Sequence, residues 1–185
     1  MSRALIVDDT PLGRHALGAE LRAAGFEVHE SSDAYAALNL IPELEPSVLV
    51  VDFQLPVLDG IALIERVRSF SEVPAILITA YGSVSLSERG HRAGIRDILD
   101  FNRDLATVGH RALELVRAHS AQAPAAIASS PAMLRRRRDV LKRAELEKVL
   151  IETHGNISEA ARRIKTSRGS LRYQMRRLGV WVSPD

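Results

Sequence analysis

Residues 48–52 read Val-Leu-Val-Val-Asp, four aliphatic side chains followed directly by a carboxylate. Similar unbroken aliphatic runs occur at Ala4–Val7 and Ala75–Ile78. Because polar and apolar residues do not alternate in these runs, they indicate strands that are buried on both faces, as in a parallel sheet. Weaker strand patterns occur at Phe26–Glu30 and Arg96–Leu99.

Helical patterns separate these strands. Apolar residues recur with the period of an amphipathic helix around residues 11–24, 33–43, 58–69 and 83–92, and again at Val108, Ala112, Leu115 and Val116. This alternation of strand and helix predicts an α/β fold, a doubly wound parallel sheet of five strands.

The charge is divided unequally along the chain, although its formal net value is only +2. Residues 131–185 contain 14 Lys and Arg against 6 Asp and Glu, a net of +8, which leaves 11 and 17 for residues 1–130, a net of −6. Between the two parts, residues 120–132 are rich in Ala, Ser and Pro, a composition typical of linkers. We therefore predict one domain at residues 1–119, a linker at 120–134 and a basic, all-α domain at 135–185.

The absence of cysteine excludes several kinds of chemistry. Without it there are no disulfides, no thiolate metal sites and no cysteine nucleophile, and a reducing cytoplasm is the expected compartment. The first residues turn acidic too soon for a signal peptide, and no apolar run approaches the length of a membrane span. We therefore expect a cytoplasmic protein that has no membrane partner.

Polar side chains follow three neighbouring strands of the predicted sheet. Asp8 and Asp9 come after the first strand, Asp52 ends the third and Thr79 ends the fourth. The carboxyl ends of parallel strands open onto one crevice, where these groups would converge. Crowded carboxylates suit Mg²⁺, which binds few protein oxygens and keeps several waters. With the metal bound, one carboxylate can attack a phosphoryl group, while Thr79 hydrogen-bonds a phosphoryl oxygen.

Three sequence blocks at these strand ends, residues 5–9, 50–60 and 76–82, resemble the signature of two-component receiver domains. The resemblance covers residues 1–119 and implies a CheY-like fold with strand order 2-1-3-4-5. It implies that Asp52 is the phosphoacceptor and receives its phosphate from a sensor histidine kinase. It also implies that Asp8, Asp9 and Asp52 bind Mg²⁺ together with the backbone carbonyl of Gln54. A response regulator of this kind is not expected to be an enzyme.

The resemblance fails at one functional position. Receivers end the fifth strand with a lysine and a proline, and an ungapped alignment places Phe101 and Asn102 there. The aromatic switch position falls on Ile98, and the whole predicted receiver contains no lysine. Arg96 and Arg103 are the nearby cations in the sequence, but arginine is bulkier than lysine and no simple substitute.

Two hypotheses therefore stay open for the receiver: control by phosphorylation, or a module that serves dimerisation or protein docking without it. The first is favoured by the carboxylates and Thr79, the second by Phe101 and Ile98. An aspartate-dependent phosphatase of the haloacid dehalogenase kind is a third hypothesis. It needs a second aspartate two residues after the nucleophile, where this chain has Gln54.

The basic end of the chain contains two short helical patterns separated by a three-residue break at 165–167. Apolar faces recur on both helices, with Ile157, Ala160, Ala161 and Ile164 on the first and Leu171, Met175 and Leu178 on the second. Such a pair of helices predicts a helix-turn-helix. Basic and polar side chains cover the rest of the second helix, which suits it to the major groove of DNA.

Residues 138–181 resemble the Fis-type helix-turn-helix, and the combination with a receiver resembles the RegA/PrrA/ActR class of redox and photosynthesis regulators. The resemblance implies binding to double-stranded DNA as a homodimer, with DNA-contacting positions at Ser167, Arg168, Ser170, Arg172 and Gln174. Arg176 and Arg177 lie near the end of the second helix, and we expect them to contact the DNA backbone. The helix from about Arg135 to Thr153 would supply the dimer contact, through Leu146, Val149, Leu150 and Thr153.

Overall fold

The computed structural model describes residues 2–80, 84–122 and 131–180, and the chain divides into two compact units, Met1–Ser130 and Pro131–Asp185. The first unit contains a parallel sheet with the strand order β2-β1-β3-β4-β5. Its strands are β1 (Arg3–Val7), β2 (Glu27–Ser31), β3 (Val48–Asp52), β4 (Ala75–Thr79) and β5 (Asp97–Asp100). Each lies within one residue of its predicted bounds, so both the fold class and the implied strand order are confirmed.

Helices connect the strands: α1 (Pro11–Ala23), α2 (Ala34–Leu44), α3 (Gly60–Arg68), α4 (Val84–Arg92), the four-residue α5 (Phe101–Asp104) and α6 (Val108–Gln122). The sheet is buried on both faces because successive side chains of a strand point in opposite directions. Ala4 and Ile6 of β1 pack with Leu17 of α1 and Ala112 of α6. Leu5, between them, is equally buried on the other face, on which α2 and α3 lie.

The second unit consists of α7 (Pro131–Glu152), α8 (Ile157–Arg163) and α9 (Arg168–Leu178). Asn156 caps α8, Ser167 caps α9, and Gly179 ends α9 in the left-handed conformation with φ 66. The predicted apolar faces meet in one core formed by Leu146, Leu150, Ala160, Ala161, Leu171, Met175 and Val180. The predicted pair of short helices is thereby confirmed.

Two expectations differ from the structure. The stretch predicted as a linker, 120–134, is helical at both ends, since α6 extends to Gln122 and α7 begins at Pro131. Ala, Gln, Met and Leu are good helix formers, and proline is tolerated in a first helical turn, so a composition typical of linkers did not prevent helix formation there. The rest of that stretch, 123–130, lies outside the described residues.

The dimer face predicted on α7 is wrong. Leu146, Leu150 and Thr153 are 0%, 5% and 4% exposed, and Leu146 and Leu150 belong to the core that α7 forms with α8 and α9 of the same chain. Val149 packs against that core as well. α7 does have the predicted apolar face, but α8 and α9 of the same chain cover it.

Candidate functional site

The register of the sheet brings the predicted acidic residues together at the carboxyl ends of β1 and β3. Val7 lies opposite Val51, so Asp8 and Asp52, the next residues, lie level on neighbouring strands. The carboxylates of Asp8, Asp9 and Asp52 each present an oxygen within 4.8 Å of the other two. Asp8 is buried, Asp52 is half-buried and Asp9 is exposed. The result is a cluster of three hard oxygen donors, open to solvent on one side.

The Asp8 carboxylate is fixed by the start of α1. Its Oδ1 accepts hydrogen bonds from the backbone N–H and the hydroxyl of Thr10, both at 2.7 Å. A Cβ at Gly13 would lie 2.1 Å from Asp8 Oδ2, so a residue without a side chain is required at that position. Arg14 Nη1 donates to the Asp8 carbonyl oxygen at 2.7 Å. Thr10, Gly13 and Arg14 escaped the sequence prediction, although their spacing from Asp8 within one helical turn was a usable signal.

The electrostatics of the cluster raise the pKa of Asp52 above its usual range. Burial and the charge of Asp8, then that of Asp9, raise its pKa from 3.8 to about 6, against the lowering effect of backbone hydrogen bonds from Gln54 and Phe53. Each of the raising effects disfavours negative charge, and none of the causes is a basic side chain. The cluster therefore holds negative charge that a bound cation would compensate.

The turn after Asp52 leads into α3 through Asp59 and Gly60. Asp59 caps α3 by accepting the Ala62 N–H at 2.8 Å, and Gly60 donates its N–H to Phe53 O at 3.0 Å. A Cβ at Gly60 would lie 2.2 Å from the Asp52 carbonyl oxygen. Thr79 is 3% exposed. Asp52 pairs with Ile78 of β4, and Thr79 is the residue that follows Ile78. The structure thus brings Thr79 to the edge of the sheet where the carboxylates lie.

At the end of β5, where receivers have their lysine, the chain forms a closed local turn. Asp100 Oδ1 accepts the N–H groups of Asn102 and Arg103, and the Asp100 N–H donates to Asp104 Oδ2 at 2.9 Å. Phe101 packs partly buried against the hydrophobic core. This stretch is therefore held in place by its own aspartates and by apolar packing.

Neither arginine that the sequence offered as a lysine substitute contacts the carboxylates. Arg96 precedes β5, and its N–H donates to the carbonyl of Ala75, the first residue of β4, so it lies at the opposite edge of the sheet. The Arg103 side chain is 78% exposed, with Nε 3.6 Å from Asp104 Oδ1. Ile98, at the aromatic switch position, lies under α4, where a Cβ added to Gly90 would be 2.7 Å from Ile98 Cδ1.

The raised pKa of Asp52 makes stability depend on pH. Between about pH 4 and pH 6 the folded state binds more protons at Asp52 than the unfolded state, so stability falls as pH rises through this window and stays lower above it. The shift corresponds to at most about 3 kcal/mol, and because the group is half exposed we expect about 1 kcal/mol. Without metal, Asp52→Asn should therefore unfold at a higher temperature than wild type at pH 8 and at the same temperature near pH 4.

The control for this calorimetric series is Glu43→Gln, which neutralises an exposed carboxylate on α2 and should leave the unfolding temperature unchanged at both pH values. Added Mg²⁺ should stabilise wild type at pH 8 more than Asp52→Asn. If Asp52→Asn raises the unfolding temperature above that of wild type by the same amount at pH 4 and at pH 8, ionisation of Asp52 does not oppose folding.

The second candidate site is the outer face of α9. Arg168, Arg172, Tyr173 and Arg176 are exposed, and the Tyr173 ring is 68% exposed. Ser167 Oγ accepts the Ser170 N–H at 3.1 Å, which uses the Ser167 hydroxyl as the helix cap. An exposed aromatic ring among arginines suits stacking on bases or contact with thymine methyl groups. Tyr173 was absent from the predicted contact set.

Other predicted contact residues besides Ser167 are also engaged within the chain. Arg177 Nη2 lies 3.3 Å from Asp139 Oδ1 of α7, so this guanidinium already has an ionic partner. Gln174 is half-buried and its Nε2 donates to Ser170 Oγ at 3.3 Å. The exposed, outward cations of α9 are therefore Arg168, Arg172 and Arg176.

Comparison with known proteins matches one protein family to each of the two units. The response regulator receiver domain family matches residues 4–112, and the Fis family of bacterial regulatory proteins matches residues 140–178. The regulatory protein AtoC of Escherichia coli is 35% identical over 119 residues, which are 62% of this chain and 26% of AtoC. The transcriptional regulatory protein PrrA of Mycobacterium leprae is 34% identical over 122 residues, 65% of this chain and 52% of that protein. The chain thus spans between a quarter and about a half of the length of these relatives.

A solved structure shows the same fold in the first unit. The CheY-like receiver domain protein of Methanospirillum hungatei superposes with a TM-score of 0.62 at 22% identity, covering 66% of this chain and 99% of that one. The receiver match extends over more than half of the residues, and the chain therefore belongs to the response regulator family. It combines the receiver domain with a Fis-type helix-turn-helix. In the part of the chain that the structure describes, no helix is long and apolar enough to cross a membrane.

Proposed function

We propose that the protein is a DNA-binding transcriptional regulator whose receiver accepts a phosphoryl group on Asp52 from a sensor histidine kinase. The observation that carries this proposal is the convergence of the Asp8, Asp9 and Asp52 oxygens within 4.8 Å at the carboxyl edge of the sheet. We propose that the protein acts in the cytoplasm, where it would meet both the DNA and the kinase. The experiment is to add a small phosphodonor and Mg²⁺ and to assay for a hydroxylamine-labile phosphoryl group.

The donor set fits Mg²⁺, since three carboxylate oxygens at one open edge leave room for the waters that this ion keeps. Asp8, Asp9 and Asp52 would hold it, together with the backbone carbonyl of Gln54. Bound there, the ion supplies positive charge that lowers the repulsion among the carboxylates and offsets charge on the phosphoryl group.

The side chains of the receiver would carry out the transfer of the phosphoryl group. A carboxylate oxygen of Asp52 forms the new O–P bond while the N–P bond of a phosphohistidine breaks and its electron pair returns to the imidazole. Thr79 would donate its hydroxyl to a phosphoryl oxygen. Asp8, held by Thr10 and against Gly13, would keep its carboxylate oriented toward the ion. The half-exposed position of Asp52 gives the donor access.

The receiver's response to phosphate is proposed to be weakened. The closed turn of Asp100 and Asp104 and the packing of Phe101 hold the end of β5, and Phe101, at the position of the receiver lysine, has no group that pairs with a phosphoryl oxygen. A second candidate function follows from this observation: a regulator whose receiver signals through dimerisation or protein docking and not through phosphorylation. The two candidates differ in whether phosphorylation changes DNA affinity.

We propose that the protein binds DNA as a homodimer through a face of α7 other than the predicted one. Leu134 and Ile151 are 52% and 47% exposed. At about 3.6 residues per turn, both lie on the side of α7 that is turned away from Leu146 and Leu150. Exposed apolar side chains on a helix that already covers its own core favour contact with a second copy.

Replacing both residues by glutamate should abolish the dimer. In sedimentation of DNA complexes, wild type is expected to load two protomers on a duplex and Leu134→Glu/Ile151→Glu only one, because charge at a buried contact is unfavourable. Leu12→Glu, which adds a charge at an exposed apolar residue of the receiver, is the control and should still load two. Two protomers per duplex for the double variant would exclude this face.

A further inference from the structure

The acidic side chains of residues 131–180 are all matched with bases of the same unit. The pairs join Asp139 to Arg177, Glu145 to Lys142, Glu147 to Arg143, and both Glu152 and Glu159 to Arg163, at 2.8 to 3.3 Å. Four consecutive arginines of α7, Arg135–Arg138, have no such partner among the described residues. Among the described bases without such a partner, four belong to this run and three, Arg168, Arg172 and Arg176, lie on the outer face of α9.

The arginine run lowers the stability of the helix that contains it. Like charges three or four residues apart repel each other on a helix, as Arg135 does with Arg138 and Arg138 with Lys142. Asp139, the next residue, already pairs with Arg177, and no acid in the described part of the unit forms an ion pair with the run. A negatively charged partner would offset it.

The Asp139–Arg177 ion pair shows where the run lies relative to α9. It joins α7 to the last turn of α9, and Asp139 is on the same side of α7 as the core residues Leu146 and Leu150. Arg135 and Arg136, four and three residues before Asp139, lie on this same side, one turn further along the helix. Arg137 and Arg138 lie on the other sides. The first two guanidinium groups are therefore placed next to the carboxyl end of α9, beyond the ion pair.

We propose that Arg135 and Arg136 form a second phosphate-binding site, which contacts the duplex backbone beside the segment that α9 enters. This inference rests on the proposed DNA binding and extends it along the duplex. Arginine suits this role because its planar guanidinium donates two parallel hydrogen bonds to phosphate oxygens. The Asp139–Arg177 pair would hold α7 and α9 in register, so that both reach one duplex. The contact reads no bases and contributes affinity alone.

The test is the salt dependence of DNA binding by the full-length chain. Each phosphate contact adds about 0.9 to the slope of log affinity against log salt, so Arg135→Gln/Arg136→Gln should lower the slope on a long random duplex by about two for each bound protomer. Arg137→Gln/Arg138→Gln is the matched control, since it removes the same charge from the same helix on the other sides. It should leave the slope near the wild-type value.

A duplex shortened to one helical turn provides the second arm. There the flanking phosphates are absent, and Arg135→Gln/Arg136→Gln should have the same slope as wild type. Equal slopes for the two double variants on the long duplex, or a difference that persists on the short one, would overturn the proposal while leaving DNA binding by α9 intact. Failure of wild type to bind any duplex would refute the proposed function and this site with it.

Discussion

Asp52→Asn is expected to abolish phosphorylation of the protein. With a small phosphodonor and Mg²⁺, wild type should acquire a hydroxylamine-labile phosphoryl group, and the variant should stay at background. The asparagine amide cannot act as the nucleophile that a carboxylate provides. Asp52 is half-buried in the cluster, whereas the Asp8 carboxylate is buried and hydrogen-bonded to Thr10, and Asp9 is exposed. The measurement is phosphoryl incorporation before and after hydroxylamine treatment.

Asp9→Asn is the informative control, because it removes one of the proposed metal ligands and leaves the acceptor in place. Its phosphorylation should be slow at low Mg²⁺ and recover as Mg²⁺ is raised, whereas Asp52→Asn should not recover at any concentration. A hydroxylamine-labile phosphoryl group on Asp52→Asn would place the acceptor at another carboxylate.

Arg168→Ala is expected to cost about 1–3 kcal/mol of binding on a duplex selected from a random pool, and to relax the sequence preference. Arg168 is exposed, directly follows the Ser167 cap at the start of α9, and has no acidic partner among the described residues. The first turn of a recognition helix is the part that reaches base edges. The measurement is affinity for the selected and a random duplex across a salt series.

Two variants of the same helix serve for comparison. Arg176→Ala should weaken selected and random duplexes alike and lower the salt slope by about one. Arg177→Ala should have a smaller effect than Arg176→Ala, because Asp139 already pairs with Arg177. Identical profiles for Arg168→Ala and Arg176→Ala would contradict the proposed orientation of α9 in the groove.

Local patterns in the sequence were sufficient for most of the fold. Strands buried on both faces have no polar alternation, and caps such as Asn156 and Ser167 act within three residues, so both are visible in a short window. The carboxylate cluster was predictable for a related reason. Once strands are known to be parallel, residues that follow them must share one edge of the sheet.

Contacts between residues distant in sequence were not predictable in the same way. The stripe of Leu146 and Leu150 was correctly seen as apolar, but periodicity does not tell whether a second copy or the chain's own α8 and α9 cover it. Arg177 and Asp139 are 38 residues apart, and nothing local relates them.

The account's central claim, a DNA-binding regulator with a phosphoacceptor receiver of weakened response, is tested most directly by one titration. Full-length protein is titrated with duplex DNA over a salt series, with and without phosphodonor and Mg²⁺. We predict binding whose affinity falls steeply with salt, and a change on phosphorylation of less than about tenfold, or 1.4 kcal/mol. No binding at any salt concentration would contradict the DNA-binding assignment, and a larger rise that Asp52→Asn abolishes would contradict the weakened response.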